Sequence, residues 1–397
     1  MNPPSLRVLV VATKSPWPSS GGGRIAVGAL VDALEASGIS VRVVAPAGAA
    51  HGQDGHYPLL RTVEVTPRPW LSVAGRRILG GSAVVSRWEL GPLEVAVNDE
   101  IGRFRPDLVH VEQIHLGWLI PRLARRLPVL LRQQNVESDL LRQLARVSPP
   151  GIAWALRGEA RALARFEADA CRRAHLVAAI SEFDAASLRC VAPDAHVEVL
   201  PPVAPAAPGA NRERLEGDPP FLCLGSFDWW PNRDGARWLV RDVWPAIRRA
   251  LPRARLHLAG PGSETIGRNV GGIVHRGFVV SSGPLYDQDA TALIPVRAAS
   301  GVRVRLLEAW AAGVPAVSTP IGVAGLSVCD GQGALVAEEA GRFAELAIRL
   351  ASDQATRASL REAGKARLAE FTPERVVERA RSLYLKAIGR SRAVIDS

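Results

Sequence analysis

Lysine is nearly missing from this 397-residue chain: Lys14, Lys365 and Lys386 are the three lysines among 49 basic residues, so the rest are arginine. There is no lysine-rich tail, and no run in which basic residues alternate with aromatics. The formal net charge of +10 therefore lacks a nucleic-acid signature. The arginines are interleaved with Glu, Asp and apolar residues, as on solvated helix faces. The remaining reading of the charge is a basic face for anionic lipid or an anionic substrate. Cysteine is sparse too. Cys171, Cys190, Cys223 and Cys329 form no C-x-x-C, which gives neither a zinc site nor a disulfide framework, and the expectation is reduced, buried thiols. Long apolar runs are absent. Val8 to Ala12 is too short for a secretory core, and no stretch approaches the roughly 18 apolar residues of a membrane helix. The expected location is the cytoplasm.

What the chain does have is alternation. Short apolar runs separated by helical patterns occupy the first half at Leu6–Ala12, Ser40–Pro46, Asp107–Glu112, Pro128–Gln133 and His175–Ser181. The second half repeats the scheme at Phe221–Ser226, Ala254–Gly260, Gly272–Phe278, Thr291–Val296 and Pro315–Thr319. Continuous apolar strands between helices mean parallel sheets buried on both faces. The fold class is α/β, with two tandem Rossmann-like domains facing each other across a cleft. The division reads as domain 1–203, a Pro- and Gly-rich linker 204–219, domain 220–372 and a C-terminal helix 373–397.

Several motifs carry candidate chemistry. Gly21, Gly22 and Gly23 stand where the first strand's loop turns into a helix, and glycines there let backbone N–H groups approach an anion. The spacing is not G-x-G-x-x-G, and a plain turn is an equal reading. In "VHVEQIH", His110 and Glu112 share a strand face while His115 falls past its end. That is no common zinc spacing, so a polar rim on the acceptor side is expected rather than a metal. Asp287 and Asp289 form a D-x-D, but at the amino end of a strand, away from the ligand edge. In "GSFDWWPN", Gly225 permits close backbone approach, and Asn232 could cap the following helix or reach a ligand.

The segment "AASGVRVRLLEAWAAGVPAVST" (298–319) is the most informative. Gly301 turns the loop after a strand, and the next helix starts with free N–H groups and a positive dipole. Arg303 and Arg305 add two charges, a concentration suited to a diphosphate. Glu308, one turn on, can accept hydrogen bonds from ribose hydroxyls, as carboxylates do at dinucleotide sites. The competing reading is a surface pair between these arginines and Glu308.

With "PSSGGGR", "PDLVHVEQIHLG", "VLLRQQNVE", "HLVAAISEFDA", "LGSFDWWPN" and "SGVRVRLLEAWAAGVPAVST" together, the chain resembles, over nearly its full length, the retaining GT-B glycosyltransferases of family 4, the "glycosyl transferases group 1" type. The resemblance implies transfer of a sugar from a nucleotide diphosphate sugar, with retention and without a metal or other cofactor, and a C-terminal helix, 373–397, that crosses back to the first domain. The nucleotide is then expected on the second domain, at Gly225, Asn232, Ser300, Gly301, Val302 and Glu308, with Gly21, Gly22 and Gly23 closing from the first. The catalytic set would be Arg303, Arg305 and Gln134, and the acceptor-side candidates Glu112, Asn135 and His115. Three positions depart from the family. Ser300 stands where a first glutamate is usual, Gln134 where relatives often carry His, and "GSFDWWPN" lacks the usual pair of cations. Arg303 and Arg305 are expected to replace that pair. The acceptor is a glycan, a lipid or a small molecule, with weak peripheral association at the inner membrane face as a further partner. The rival readings are a degenerate GT-B protein that binds without turnover and a nucleotide-sugar epimerase on the same fold.

Overall fold

The computed structural model describes residues 6–17, 22–47, 58–73, 80–209 and 211–395. The chain divides into two compact units. Val203 ends the main body of the first, Ala204–Thr372 forms the second, and Pro373 onward returns to the first.

The first unit holds a seven-stranded, all-parallel sheet. Its strands are β1 (Arg7–Val11), β2 (Ser40–Pro46), β3 (Leu60–Val63), β4 (Leu108–Glu112), β5 (Val129–Gln133), β6 (Leu176–Ala179) and β7 (Val197–Val199), ordered 3-2-1-4-5-6-7. Alternation along β1 explains why its four buried residues are all apolar. Leu9 and Val11 enter one core layer, and Val8 and Val10 enter the other. The helices of nine residues or more are α1 (Gly22–Ala36), α2 (Gly91–Phe104), α3 (Glu137–Arg146), α4 (Pro150–Arg173) and α5 (Glu182–Val191).

The second unit has a six-stranded parallel sheet of β8 (Pro220–Leu224), β9 (Arg255–Ala259), β10 (Ile273–Gly277), β11 (Thr291–Ile294), β12 (Ala316–Ser318) and β13 (Leu335–Val336), ordered 10-9-8-11-12-13. Its longer helices are α6 (Trp230–Trp238), α7 (Val304–Ala312), α8 (Ala340–Ser352) and α9 (Gln354–Leu368). The fully buried Arg357 of α9 donates to Thr291 Oγ1 and to the Gln288, Ala290 and Leu350 carbonyls, pinning that helix to the start of β11. The last helix, α10 (Pro373–Ile395), lays Val376, Ala380, Leu383 and Tyr384 on the sheet of the first unit.

Three expectations are modified. The sequence pattern missed β3, β7 and β13, which are short edge strands without the continuous burial that produces an apolar run. The described residues of 204–219 contain no helix or strand, yet they are fastened to the second unit rather than spanning freely. Leu215 N–H donates to Asp287 Oδ2 at 2.8 Å, and Arg212 donates to the Ala312 carbonyl at 2.8 Å. Cys171 and Cys223 are buried, and burial pushes both thiols up to about 12, but Cys190 and Cys329 are exposed.

Candidate functional site

In each sheet the strand order reverses beside its first strand, between β1 and β4 and between β8 and β11. Loops leaving two such strands diverge to opposite faces and open a crevice at their carboxyl ends. Most of the sequence candidates fall on these loops.

In the second unit, the loop after β8 is set by backbone contact. A Cβ on Gly260, at φ +129°, would fall 1.9 Å from the Gly225 carbonyl oxygen, so the loops after β8 and β9 touch directly. Asn232 does not cap α6; its Nδ2 donates to the Ser226 carbonyl at 3.1 Å and braces the loop. The neighbouring loop after β11 is tied to α6 by Arg297, which grips Asp234 through two nitrogens at 2.9 and 3.1 Å. Ser300 and Val302 are buried, and Gly301 takes φ +79°. A Cβ on Gly325 would lie 2.6 Å from the Gly301 oxygen, so the turn is packed from behind. α7 then begins with Arg303 as its flanking residue and no side-chain cap. Arg303 donates to the Ser300 carbonyl, and its Cζ lies 5.8 Å from the Trp229 ring centre. One cation is thus held across the tips of both loops, beside the N–H groups of α7.

Arg305 and Glu308 do not have separate environments. Arg305 Nη1 donates to Glu308 Oε1 and Oε2 at 2.9 and 2.6 Å. The three-residue spacing places both on one helix face. Ser282 Oγ donates to Glu308 Oε1 at 3.1 Å, and Tyr286 OH to Oε2 at 3.0 Å. Glu308 is 7% exposed, so this is a buried, fully bonded carboxylate rather than a loose surface pair. Burial works against the Arg305 charge, but Glu308 outweighs it and the guanidinium is held above its usual value. Burial and the Glu308 charge push the Tyr286 phenol well up, so it stays a donor. Of the two arginines expected to hold a diphosphate, Arg305 is paired with Glu308, and Arg303 holds the Ser300 carbonyl at the start of α7.

In the first unit, Gly21 lies outside the described residues. Gly22 opens α1. A Cβ on Gly23 would sit 3.1 Å from Gln134 Oε1 and 3.8 Å from Gln113 Nε2, so the helix start rests against the ends of β4 and β5. Gln134 Nε2 donates to Glu112 Oε2 at 3.1 Å, which fixes the amide and leaves its oxygen toward α1. Glu112, expected on an acceptor rim, is 1% exposed. It accepts from Arg132 Nη1 at 3.0 Å and lies 3.2 Å from His110 Nε2. Burial alone would raise this carboxyl, but Arg132, His110 and Gln134 bring it down to about 2. Glu112 therefore positions Gln134 and cannot meet a sugar. Asn135 donates to Glu137 Oε1 at 3.1 Å and remains partly exposed at the loop. His115 packs edge-on to Trp88 and is kept neutral mainly by burial.

Sequence reasoning missed three residues here. Gln113, at φ +72°, accepts from Thr13 Oγ1 at 2.7 Å and joins the loops after β1 and β4. Lys14 is brought close enough to Arg24, in the first turn of α1, that burial and Arg24 both lower its pKa. "TK" and "GGGR" contain these cations, but only the fold makes them neighbours. The D-x-D is structural: Asp287 Oδ1 accepts from the Asp289 N–H at 3.0 Å while Oδ2 holds Leu215. Among the described residues no group of three His, Cys, Asp or Glu side chains could hold a metal ion.

Two parallel sheets, each with its polar groups at a strand-order reversal, define a GT-B type protein. Residues 21–203 match the model of the glycosyl transferase 4-like domain, and residues 218–353 match that of glycosyl transferases group 1. The chain belongs to these glycosyltransferases. No curated protein matches it in sequence. Among solved structures, it is similar to sucrose-phosphate synthase from Thermosynechococcus elongatus, at 19% identity and TM-score 0.75, over 97% of this chain and 99% of that one. It is also similar to HepE of Anabaena in complex with UDP-glucose, at 14% identity and TM-score 0.63, over 95% and 99% of the two chains. WaaG, a glycosyltransferase involved in lipopolysaccharide biosynthesis, matches at 14% identity and TM-score 0.62, over 94% and 98%.

Proposed function

We propose that this glycosyltransferase moves a sugar from a nucleoside diphosphate sugar to an acceptor hydroxyl with retention at the anomeric carbon. The observation that carries the reading is the Arg303 and α7 start beside the buried Glu308. A cation and the positive end of a helix dipole suit a diphosphate, and one turn away a carboxylate already bonded by two hydroxyls suits a ribose. On binding, ribose hydroxyls take the place of Ser282 on Glu308, while Arg305 and Tyr286 keep the carboxylate oriented. The solved complex of HepE with UDP-glucose supports a donor of this class.

In the transfer, the acceptor oxygen bonds to the anomeric carbon as the bond to the β-phosphate oxygen breaks. The acceptor proton passes to that phosphate oxygen, so no protein base is required. Arg303 and the α7 dipole stabilise the charge that develops on the leaving diphosphate, and the reaction runs without metal. On the first unit, Lys14, Arg24 and the Gln134 oxygen, near the start of α1, are offered to the acceptor, and Asn135 lies on the acceptor side. The acceptor is a glycan, lipid or small molecule met in the cytoplasm.

The test is a calorimetric binding screen of UDP-, GDP-, ADP- and dTDP-sugars, with and without EDTA, followed by hydrolysis. One donor should bind at micromolar concentration and release its nucleoside diphosphate slowly. Failure of all four to bind would sink the reading. Binding with no turnover under any acceptor would favour the degenerate protein instead.

A further inference from the structure

One surface of the first unit has a composition of its own. α3 and α4 form a hairpin closed by Ser148 and Pro149. Its turn exposes three large apolar side chains: Val147 at 46%, Ile152 at 56% and Trp154 at 76%. Ala153 between the last two is buried, so the first turn of α4 is anchored from below while its neighbours point outward. Arg146, Arg157, Arg161 and Arg165 are all exposed around them. Trp154, Arg157, Arg161 and Arg165 follow at spacings of three and four, which places them in one stripe along the helix.

Acid is missing from this face. Between 140 and 165 the one carboxylate is Glu159, which is buried and bonded to Ser82 Oγ at 2.6 Å and to the Val84 N–H at 3.0 Å. Asp139, just ahead, is paired with Arg142. No ion pair involves the four arginines among the described residues. An apolar tip rimmed by unneutralised arginine has the charge and shape that an anionic bilayer surface accepts. The indole and aliphatic groups enter the headgroup boundary, and the guanidiniums remain with the phosphates. Nucleic acid would use the arginines but leave Val147 and Ile152 in water. A second copy would set arginine against arginine in a two-fold contact. No described helix is long and apolar enough to cross a membrane, so the association is peripheral.

We propose that the α3–α4 turn docks the protein on anionic lipid, with Val147, Ile152 and Trp154 as the inserting groups and Arg146, Arg157 and Arg161 on lipid phosphates. The proposal is independent of the transfer reading, because its readout needs no nucleotide.

The experiment is sedimentation of the full chain with phosphatidylcholine vesicles, with and without phosphatidylglycerol. The wild type should partition onto the anionic vesicles alone. An Arg146→Ala/Arg157→Ala/Arg161→Ala triple should lose roughly fivefold in partitioning per arginine. An Ile152→Ser/Trp154→Ser pair should lose binding that high salt does not restore. An Arg249→Ala/Arg342→Ala/Arg349→Ala triple removes equal charge from the second unit and should bind like wild type. Unchanged melting temperatures show that the variants fold. Absence of binding to anionic vesicles, or equal losses in both arginine triples, overturns the proposal. So does duplex DNA binding that needs the arginines but not Ile152 and Trp154, or a dimer abolished by the Ile152/Trp154 pair.

Discussion

The hydroxyl of Tyr384, near the end of the chain, lies 2.8 Å from Nδ1 of His110 on β4, and the two rings meet edge to face at 5.7 Å. Beneath them, Glu112 gathers His110, Arg132 and Gln134. The last helix is therefore bonded into the same buried network that fixes Gln134 against the start of α1.

Breaking this network on one side should be costly. Arg132→Met leaves the Glu112 carboxylate buried without its cation and is expected to lower stability by about 3–5 kcal/mol. Arg132→Met combined with Glu112→Leu should recover most of that loss, because no charge is then stranded. Tyr384→Phe removes a single hydrogen bond to a buried ring nitrogen and should cost about 1–3 kcal/mol. Urea unfolding of the four proteins measures all three. The Glu112 carboxyl is depressed to about 2. Its contribution is complete above the unfolded value near 4.5 and is lost as pH falls from there through about 2, a loss that Glu112→Leu should not show.

Glu167 on α4 behaves oppositely. It accepts the Glu137 and Ser138 N–H groups at 3.0 and 3.2 Å at the start of α3, yet burial pushes its carboxyl up to about 7. A raised carboxyl favours the folded state when protonated. The stabilisation is present below the unfolded value and is lost as pH rises through about 7. Between pH 5 and 8 the wild type should lose up to about 3 kcal/mol more than Glu167→Gln. Thermal melts across that range decide the matter.

Gly260→Ala tests the contact that builds the crevice of the second unit. Its Cβ would fall on the Gly225 carbonyl oxygen at 1.9 Å, at φ +129°. Backbone cannot yield as a flexible side chain would, so a loss above about 3 kcal/mol is expected. Gly341→Ala, on α8 with nothing within 4 Å of the new Cβ, is the control and should be neutral or slightly stabilising.

Arg303 and Arg305 should separate by what they change. Arg303→Ala is expected to weaken binding of the preferred nucleoside diphosphate about tenfold or more, while leaving affinity for the corresponding nucleoside unchanged. Arg305→Ala unbalances the buried Glu308 and should lower melting temperature as well as affinity for both ligands. Equal effects of Arg303→Ala on nucleoside and nucleoside diphosphate would remove Arg303 from the diphosphate.

Much of the fold was legible because it rests on local pattern. Val8–Val11, Val129–Leu131 and Phe221–Cys223 are apolar on consecutive residues, and that occurs where helices cover both sheet faces. The edge strands β3, β7 and β13 were not legible, since a half-exposed strand of two to four residues leaves no such trace. At the site, the glycine turn and helix start before Glu308 could be read from spacing, because an N-terminus and its dipole are local features.

The sequence by itself determined the two α/β halves, the family they resemble and the residues gathered around the α7 start. Tertiary structure decided the partners of those residues. It joined Arg305 to Glu308 with Ser282 and Tyr286, left Arg303 over Trp229, and buried Glu112 between His110 and Arg132. Spacing fixes which side chains share a helix or strand face. Whether a charge meets water, a counter-ion or a ligand depends on the elements packed over it, and these come from distant parts of the chain.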